Sequence, residues 1–264
     1  MFSNLKAIYL YRSFILGSIK REFQSRYRRS MLGALWLILQ PLAMILIYTL
    51  VFSQIMRAKL PGVDNAYAYS IYLCAGSLTW GLFAEMIGRA QGVFIENANM
   101  MKKLSFPRIC LPVIITLSAL LNFAIIFSIF LLFLVVTNSF PGIEFVAVIP
   151  LLILQTAFAL GLGMVLGVLN VFFRDVGQFM GIFLQFWFWF TPIVYPLAII
   201  PAWAHSYMLM NPMADIVIAY QAVLVQHQWP EWHTLWPVAA ISVAALALGL
   251  YLFRKHSADM VDEL

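Results

Sequence analysis

Three groups of aromatic residues recur at helical spacing in this chain. At about 100° per residue, Tyr69, Tyr72, Trp80 and Phe83 fall within about 60° of one line, as do Phe179, Phe183, Phe186, Trp187 and Phe190. Trp36 and Tyr48, with Gln40, make a third group. An aromatic ring has an electronegative face, which can meet the slightly positive C–H face of a sugar. Many weak contacts of this kind suit a sliding polymer, because a conduit must admit its cargo and also let it go. The plainer alternative is helix packing and lipid contact, and for any single residue it weighs at least equally.

Charge is scarce around these rings. Residues 170–201 read NVFFRDVGQFMGIFLQFWFWFTPIVYPLAIIP, with Arg174 beside Asp175 at the start and Pro192, Pro196 and Pro201 at the end. Asp175 is expected to cap the helix that follows, and Arg174 to sit near the carbonyl end of the helix before it, a tight turn with no catalysis. Glu85 and Glu144 lie near the ends of apolar runs. Ion-coupled carriers place ionisable groups along their path, and nothing central is present to do that. There is no paired Asp-rich motif of a prenyl transferase and no Gly-rich phosphate loop. Any work done here must draw its energy from another subunit. His227 and His233 are near each other, but no carboxylate or cysteine pattern completes a metal site. Cys74 and Cys110 read as small apolar residues rather than a disulfide or metal pair.

These residues are carried by a chain of 264 residues that is 63% hydrophobic and only 10% charged, against about 25% charged in a soluble domain. Its apolar runs reach the roughly 20 residues that a membrane-spanning helix needs. The expected fold is an all-α polytopic membrane protein with six transmembrane helices, near residues 32–55, 69–87, 111–136, 146–171, 179–196 and 236–253. The N-terminus lacks the short apolar core and small-residue cleavage site of a signal peptide. The net charge of +5 is read as topology. Fourteen of the 16 Lys and Arg residues fall in the two termini and alternate loops; only Arg57 and Lys59 fall on the other side. Basic loops stay cytoplasmic, so both termini are expected in the cytoplasm.

Three segments outside the spans stand out. Residues 1–30 are expected as a separate amphipathic interface helix, with 31–264 as the transmembrane domain. Leu5, Ile8, Tyr11, Ile15, Ile19 and Phe23 share one face, spoiled slightly by Arg12 and Glu22; cations occupy the other. Such a helix is expected to lie in the membrane interface, apolar side down, as a lipid anchor alone or also as a docking surface. The basic loop NANMMKKLSFPRICLP at residues 97–112 has Pro107 and Pro112 as breakers; it is an ordinary cytoplasmic loop or a handle for another protein. Residues 191–237 carry no Lys or Arg yet are rich in Trp and Pro, including Trp203, Trp229, Trp232 and Trp236. Short outer-side gate helices between spans five and six are expected there, since non-helical backbone at depth must be buried in protein or line water. An interfacial tryptophan belt is the plainer reading.

Four segments together resemble the transmembrane subunits of ABC-2-type polysaccharide exporters. They are YRRSMLGALWLILQPLAMILIYTLVFSQI at 27–55, the loop at 97–112, the stretch at 170–201, and NPMADIVIAYQAVL at 211–224. The resemblance runs over nearly the whole chain and is nearest to O-antigen exporters. It implies a homodimer in the bacterial inner membrane, joined to two cytoplasmic ATP-binding subunits that hold the ATP and Mg, with no cofactor in this chain. The cargo it implies is a lipid-linked polysaccharide. It implies a pore lined by spans one, two and five, hence by the aromatic groups above, and ATPase coupling through Lys20, Arg21, Arg26, Arg28, Asn97, Lys102, Lys103 and Arg108. Neither nucleic acid nor catalysis by this chain is expected. An ABC-2 permease for a drug or small lipid is the alternative. An intramembrane glycan-modifying enzyme is a third reading, disfavoured by the lack of catalytic carboxylate or histidine clusters. Alanine at Phe183, Trp187 or Trp80 is expected to impair glycan export without blocking assembly.

Overall fold

The computed structural model describes residues 6, 8–27, 32–55, 60, 65–103, 106–257 and 259–263, and among these it is helical with no strand. Helix α1 spans Arg12–Tyr27; α2, Trp36–Tyr48, follows a single 3-10 turn and runs into a π-helical stretch, Thr49–Ile55. Then come α3 (Ala68–Ala90), the short α4 (Val93–Glu96) and α5 (Ala98–Lys103), α6 (Cys110–Val136), α7 (Val148–Phe172) and α8 (Asp175–Trp189). The chain ends with α9 (Ala202–Met208), α10 (Pro212–Gln226), α11 (Trp236–His256) and α12 (Asp259–Glu263). Four stretches among the described residues are long and apolar enough to cross a bilayer: Ala68–Ala90, Cys110–Val136, Gly142–Phe172 and Trp232–His256. The regions expected as spans one and five are built from shorter pieces.

Span five was expected over 179–196, but its helix starts earlier and ends at Trp189. Its 15 residues reach about 22 Å at 1.5 Å per residue. The aromatic sequence carries on, but Pro192 cannot donate a helical hydrogen bond, and the chain turns into the protein instead, with Thr191 and Ile193 fully buried. The breakers at 107 and 112 also divide differently from the expectation. Pro112 is the third residue of α6, inside its first turn, where a missing N–H costs nothing.

The core is centred on α3 and α10. Helix α10 begins at an Asn-Pro step, where Asn211 Oδ1 accepts the Met213 N–H at 3.0 Å and Pro212 occupies the first turn. Its Met213, Ile216, Tyr220 and Leu224 are completely buried beside Phe83, Ile193 and Leu151. Helices α7 and α11 meet along glycines. A Cβ on Gly161 would lie 2.5 Å from the Leu246 backbone nitrogen, and one on Gly249 would lie 2.9 Å from the Gly161 carbonyl oxygen. At Gly167 the same test meets the Ala90 carbonyl at 2.7 Å, so α7 also rests on the end of α3. Small residues of this kind let helix backbones approach closely where apolar side chains gain little from leaving lipid.

The N-terminal helix corrects the expectation of a lipid-facing stripe. Ile15 and Ile19 are buried with Cys110 and Ile114 of α6, and Ile8, Tyr11, Phe14 and Phe23 pack around them. The apolar face is seated on protein. Leu5, from the same expected stripe, lies outside the described residues. Both cysteines are free and buried.

Candidate functional site

The expected aromatic residues separate into three places. The largest group links α3, α7 and α8. Trp80 meets Trp187 edge-on at 6.1 Å, Phe83 stacks on Phe158 at 5.5 Å, and Phe83 lies 5.0 Å from Trp187. The series continues from Trp187 to Phe183 at 5.3 Å and from Phe183 to Phe179 at 5.7 Å. It therefore runs from a dry interior, where Phe83 is 0% exposed, to an open helix face, where Phe179, Phe186 and Phe190 are all more than 60% exposed. Phe183, Phe186, Trp187 and Phe190 also line a cavity of about 270 Å³ with Tyr207 and Asn211.

Two of the expected pore residues do something else. Tyr69 donates its hydroxyl to the Val194 carbonyl at 2.7 Å. The Tyr72 hydroxyl lies 2.9 Å from the Pro192 carbonyl and 3.0 Å from that of Tyr195. Gln221 Nε2 also donates to the Pro192 carbonyl, at 3.1 Å. These side chains supply donors to carbonyls of the turn at residues 191–196 that no helix satisfies, at Pro192 in a buried position. Tyr72 is buried, so its expected place on an open stripe is corrected by this role. Asn211 holds the same turn from the other side: it accepts from Trp187 Nε1 at 2.7 Å and donates to Thr191 Oγ1 at 3.0 Å. Trp80 and Trp187 are packed into this assembly, which leaves Phe183 as the member of the expected alanine series that tests substrate contact without removing core.

Trp36 and Tyr48 face elsewhere. With Gln40 they line a largely apolar cavity of about 940 Å³ between α2, α3 and α6. Tyr48 lies within 3.4 Å of Ser77 Oγ across it. Glu85 and Asn122 form its polar end, where Asn122 Nδ2 donates to Glu85 Oε2 at 2.8 Å. Tyr48 reaches the tyrosine pair through Phe52, which stacks on Tyr69 at 5.3 Å.

The Arg174–Asp175 turn is present, but Asp175 does not cap it. Asp175 is the first residue of α8, favourably placed for the helix dipole. The side chain that caps the first turn is Asn170, whose Oδ1 accepts the Gly177 N–H at 2.9 Å while its Nδ2 donates to the Gln91 carbonyl at 2.8 Å. One asparagine thus ties together the ends of α3 and α7 and the start of α8.

Of the expected coupling residues, Lys20, Arg21 and Lys102 are exposed. Asn97 turns inward and donates to the Val93 carbonyl at 2.8 Å. Arg108 reaches Ser257, bonding its carbonyl and, at 3.2 Å, its hydroxyl. That bond fastens the 97–112 loop to the end of α11, while Met260 of α12 is buried with Met101 of α5. Arg28 and the side chains of Arg26 and Lys103 lie outside the described residues.

Several polar residues with structural importance gave a faint signal in the sequence. Gln155 and Asn122 each interrupt an apolar run, and Glu22 interrupts an apolar stripe. Gln155 is buried and donates to the Thr79 carbonyl at 2.7 Å, joining α7 to α3. Glu22 pairs with Arg89 at 2.6 Å.

The model of the ABC-2 type transporter family matches residues 15–225. An O-antigen export system permease protein RfbA of Myxococcus xanthus is 29% identical over 262 residues, 98% of each chain. A protein of the same name from Klebsiella pneumoniae is 31% identical over 205 residues, 76% of each chain. The polysialic acid transport protein KpsM of Escherichia coli is 24% identical over 246 residues, covering 91% of this chain and 92% of that one.

Proposed function

The chain belongs to the ABC-2 type transporter family, a family of multi-pass membrane proteins, and from that premise we propose that it is the permease subunit of an ATP-driven polysaccharide exporter. The cargo is a lipid-linked glycan of the O-antigen class, moved across the bacterial inner membrane. The observation that carries this is the near full-length similarity to a permease named for O-antigen export. The open face of α8 supports it. Met180 is the buried residue of that helix, and Phe179, Phe183, Phe186 and Phe190 stand uncovered, a set of ring faces of the kind that sugars stack on.

Two copies of the chain form the conduit, with α8 of each facing it, and two cytoplasmic subunits bind ATP and Mg and do the hydrolysis. Residues 1–30 form the interface segment and 31–264 the transmembrane domain. Both termini, the Arg89 end of α3 and the Arg174 turn lie on the cytoplasmic side. Lys20, Arg21 and Lys102 present charge there to the ATPase. Helices α9 and α10 are the outer gate elements, and the turn at 191–196, bonded to Tyr72 of α3 and Gln221 of α10, ties α10 to α3.

A permease for a small lipid or drug is the second reading, and the apolar cavity of about 940 Å³ favours it. Deleting the gene and analysing glycolipids separates the two. Loss of the surface glycan, with its lipid-linked precursor retained inside, is the expected result. An unchanged surface glycan with altered drug susceptibility would overturn it.

A further inference from the structure

Arg89, at the last turn of α3, is held between two carboxylates. Its Nη2 lies 2.6 Å from Glu22 Oε1 on α1, and its Nη1 lies 3.4 Å from Glu85 Oε1 one turn back. Each carboxylate has a second tie, to α6. Ser118 Oγ donates to Glu22 Oε2 at 2.9 Å, and Asn122 Nδ2 donates to Glu85 Oε2 at 2.8 Å. The guanidinium thus joins three helices. One of its partners sits on the basic surface helix and the other on the wall of the cavity of about 940 Å³. The charged side chains of Arg89, Glu22 and Glu85 are 24%, 28% and 21% exposed. That is sheltered enough for charge-assisted bonds to hold a geometry and wet enough for them to exchange partners.

A lipid anchor has no need of a carboxylate on its inner face. Ile15 and Ile19 already seat α1 on α6. The acidic residue adds a directional bond to α3, in register with Glu85. We infer that Arg89 is a positioning residue that transmits displacement of α1 to the α3–α6 wall of the cavity, so that the space lined by Glu85 and Asn122 changes shape when α1 moves. That α1 is moved by an ATPase rests on the function proposed above. The mechanical link between α1 and the cavity wall does not.

Gly81 provides the probe. It lines the cavity, and a Cβ added there meets nothing within 4 Å. In full-length chain with Cys74→Ala and Cys110→Ala, Gly81→Cys in membrane vesicles is labelled with a maleimide. Glu22→Gln, a change on α1, is expected to alter the labelling rate by about fivefold, the scale of mutational effects on coupling between packed sites. Arg89→Gln does the same, the double variant is no further changed, and Arg89→Lys recovers part of the difference. Rates within about twofold of the parent in both single variants, or effects that multiply in the double, overturn the inference. Loss of folded protein in the Gln variants, judged by size exclusion, with Arg89→Lys unchanged in labelling, also overturns it and leaves a static staple. With the co-expressed ATPase, nucleotide is expected to shift labelling in the parent and not in Arg89→Gln. An unaltered surface glycan after gene deletion sinks the export reading while the resting labelling rates still decide the link.

Discussion

At one end of α3, Tyr69 and Tyr72 give neutral hydrogen bonds to the carbonyls of residues 192, 194 and 195. At the other end, Arg89 is shared between Glu22 and Glu85. Both ends solve the same problem, fastening a helix to a neighbour distant in sequence, with different physics. The tyrosine end holds a broken backbone whose carbonyls take their donors from the side chains of Tyr69, Tyr72 and Gln221. Its bonds, buried at Pro192 and half-buried at Val194 and Tyr195, join neutral groups and are directional, so the turn is held with little dependence on salt. The arginine end holds a surface helix with bonds that are partly wet and sensitive to ionic strength. Breaking it leaves charged groups that water can still reach. One end is suited to define shape and the other to change it.

The strongest way to break this contrast is to remove the donors at the tyrosine end. Tyr72→Phe with Gln221→Leu leaves the buried Pro192 carbonyl unpaired and should cost about 2–4 kcal/mol, since each buried unsatisfied group costs about 1–3. Thermal unfolding of the detergent-solubilised protein measures it, and a shift no larger than that of Arg89→Gln would refute the contrast. Next in size is Gly76→Val. A Cβ there already meets Gln221 Nε2 at 3.0 Å and Ile193 Cγ2 at 3.2 Å, so the added bulk should cost about 1–3 kcal/mol by overpacking. Arg89→Gln should lower stability by only about 1 kcal/mol, because the pair is partly exposed. In about 1 M salt, where screening falls to about 3 Å, that difference should shrink while the Tyr72→Phe difference stays. Equal salt dependence at both ends would dissolve the distinction. Smallest in stability is Phe186→Ala on the open face of α8, expected within about 0.5 kcal/mol of the parent. Surface glycan should nonetheless fall in that variant, and normal glycan levels would remove Phe186 from the substrate path.

How far the sequence led depends on the kind of interaction. Helices α6, α7 and α11 were legible to within a few residues because long apolar runs have few other places to go. The end of α8 was not, because rings continue past Trp189; Pro192 marks a break, but only the burial of Thr191 and Ile193 shows that the chain turns inward there. The aromatic groups were visible as periodic sets, but periodicity cannot say which face a partner covers. Phe83 and Phe179 look alike on a helical wheel and differ completely in burial. The polar ties were the least legible. Tyr72 and Tyr195 are 123 residues apart, Ser118 and Glu22 are 96 apart, and Arg108 and Ser257 are 149 apart. No local spacing encodes such pairs. The hint available was a polar residue out of place, as with Glu22, Asn122 and Gln155.

The glycine seam between α7 and α11 bears on how such a protein moves. Where backbone lies directly on backbone, no side chain can change rotamer to accommodate a slide, and a shift of even 1 Å puts Gly161 against Leu246 or Gly249 against Met164. The pair is therefore expected to move as one stiff beam. Displacement of the helices outside the pair, the α3–α6 wall included, is then expected to occur relative to it. In the exporter proposed above, its fixed position would serve as the reference against which the work of each cycle is done.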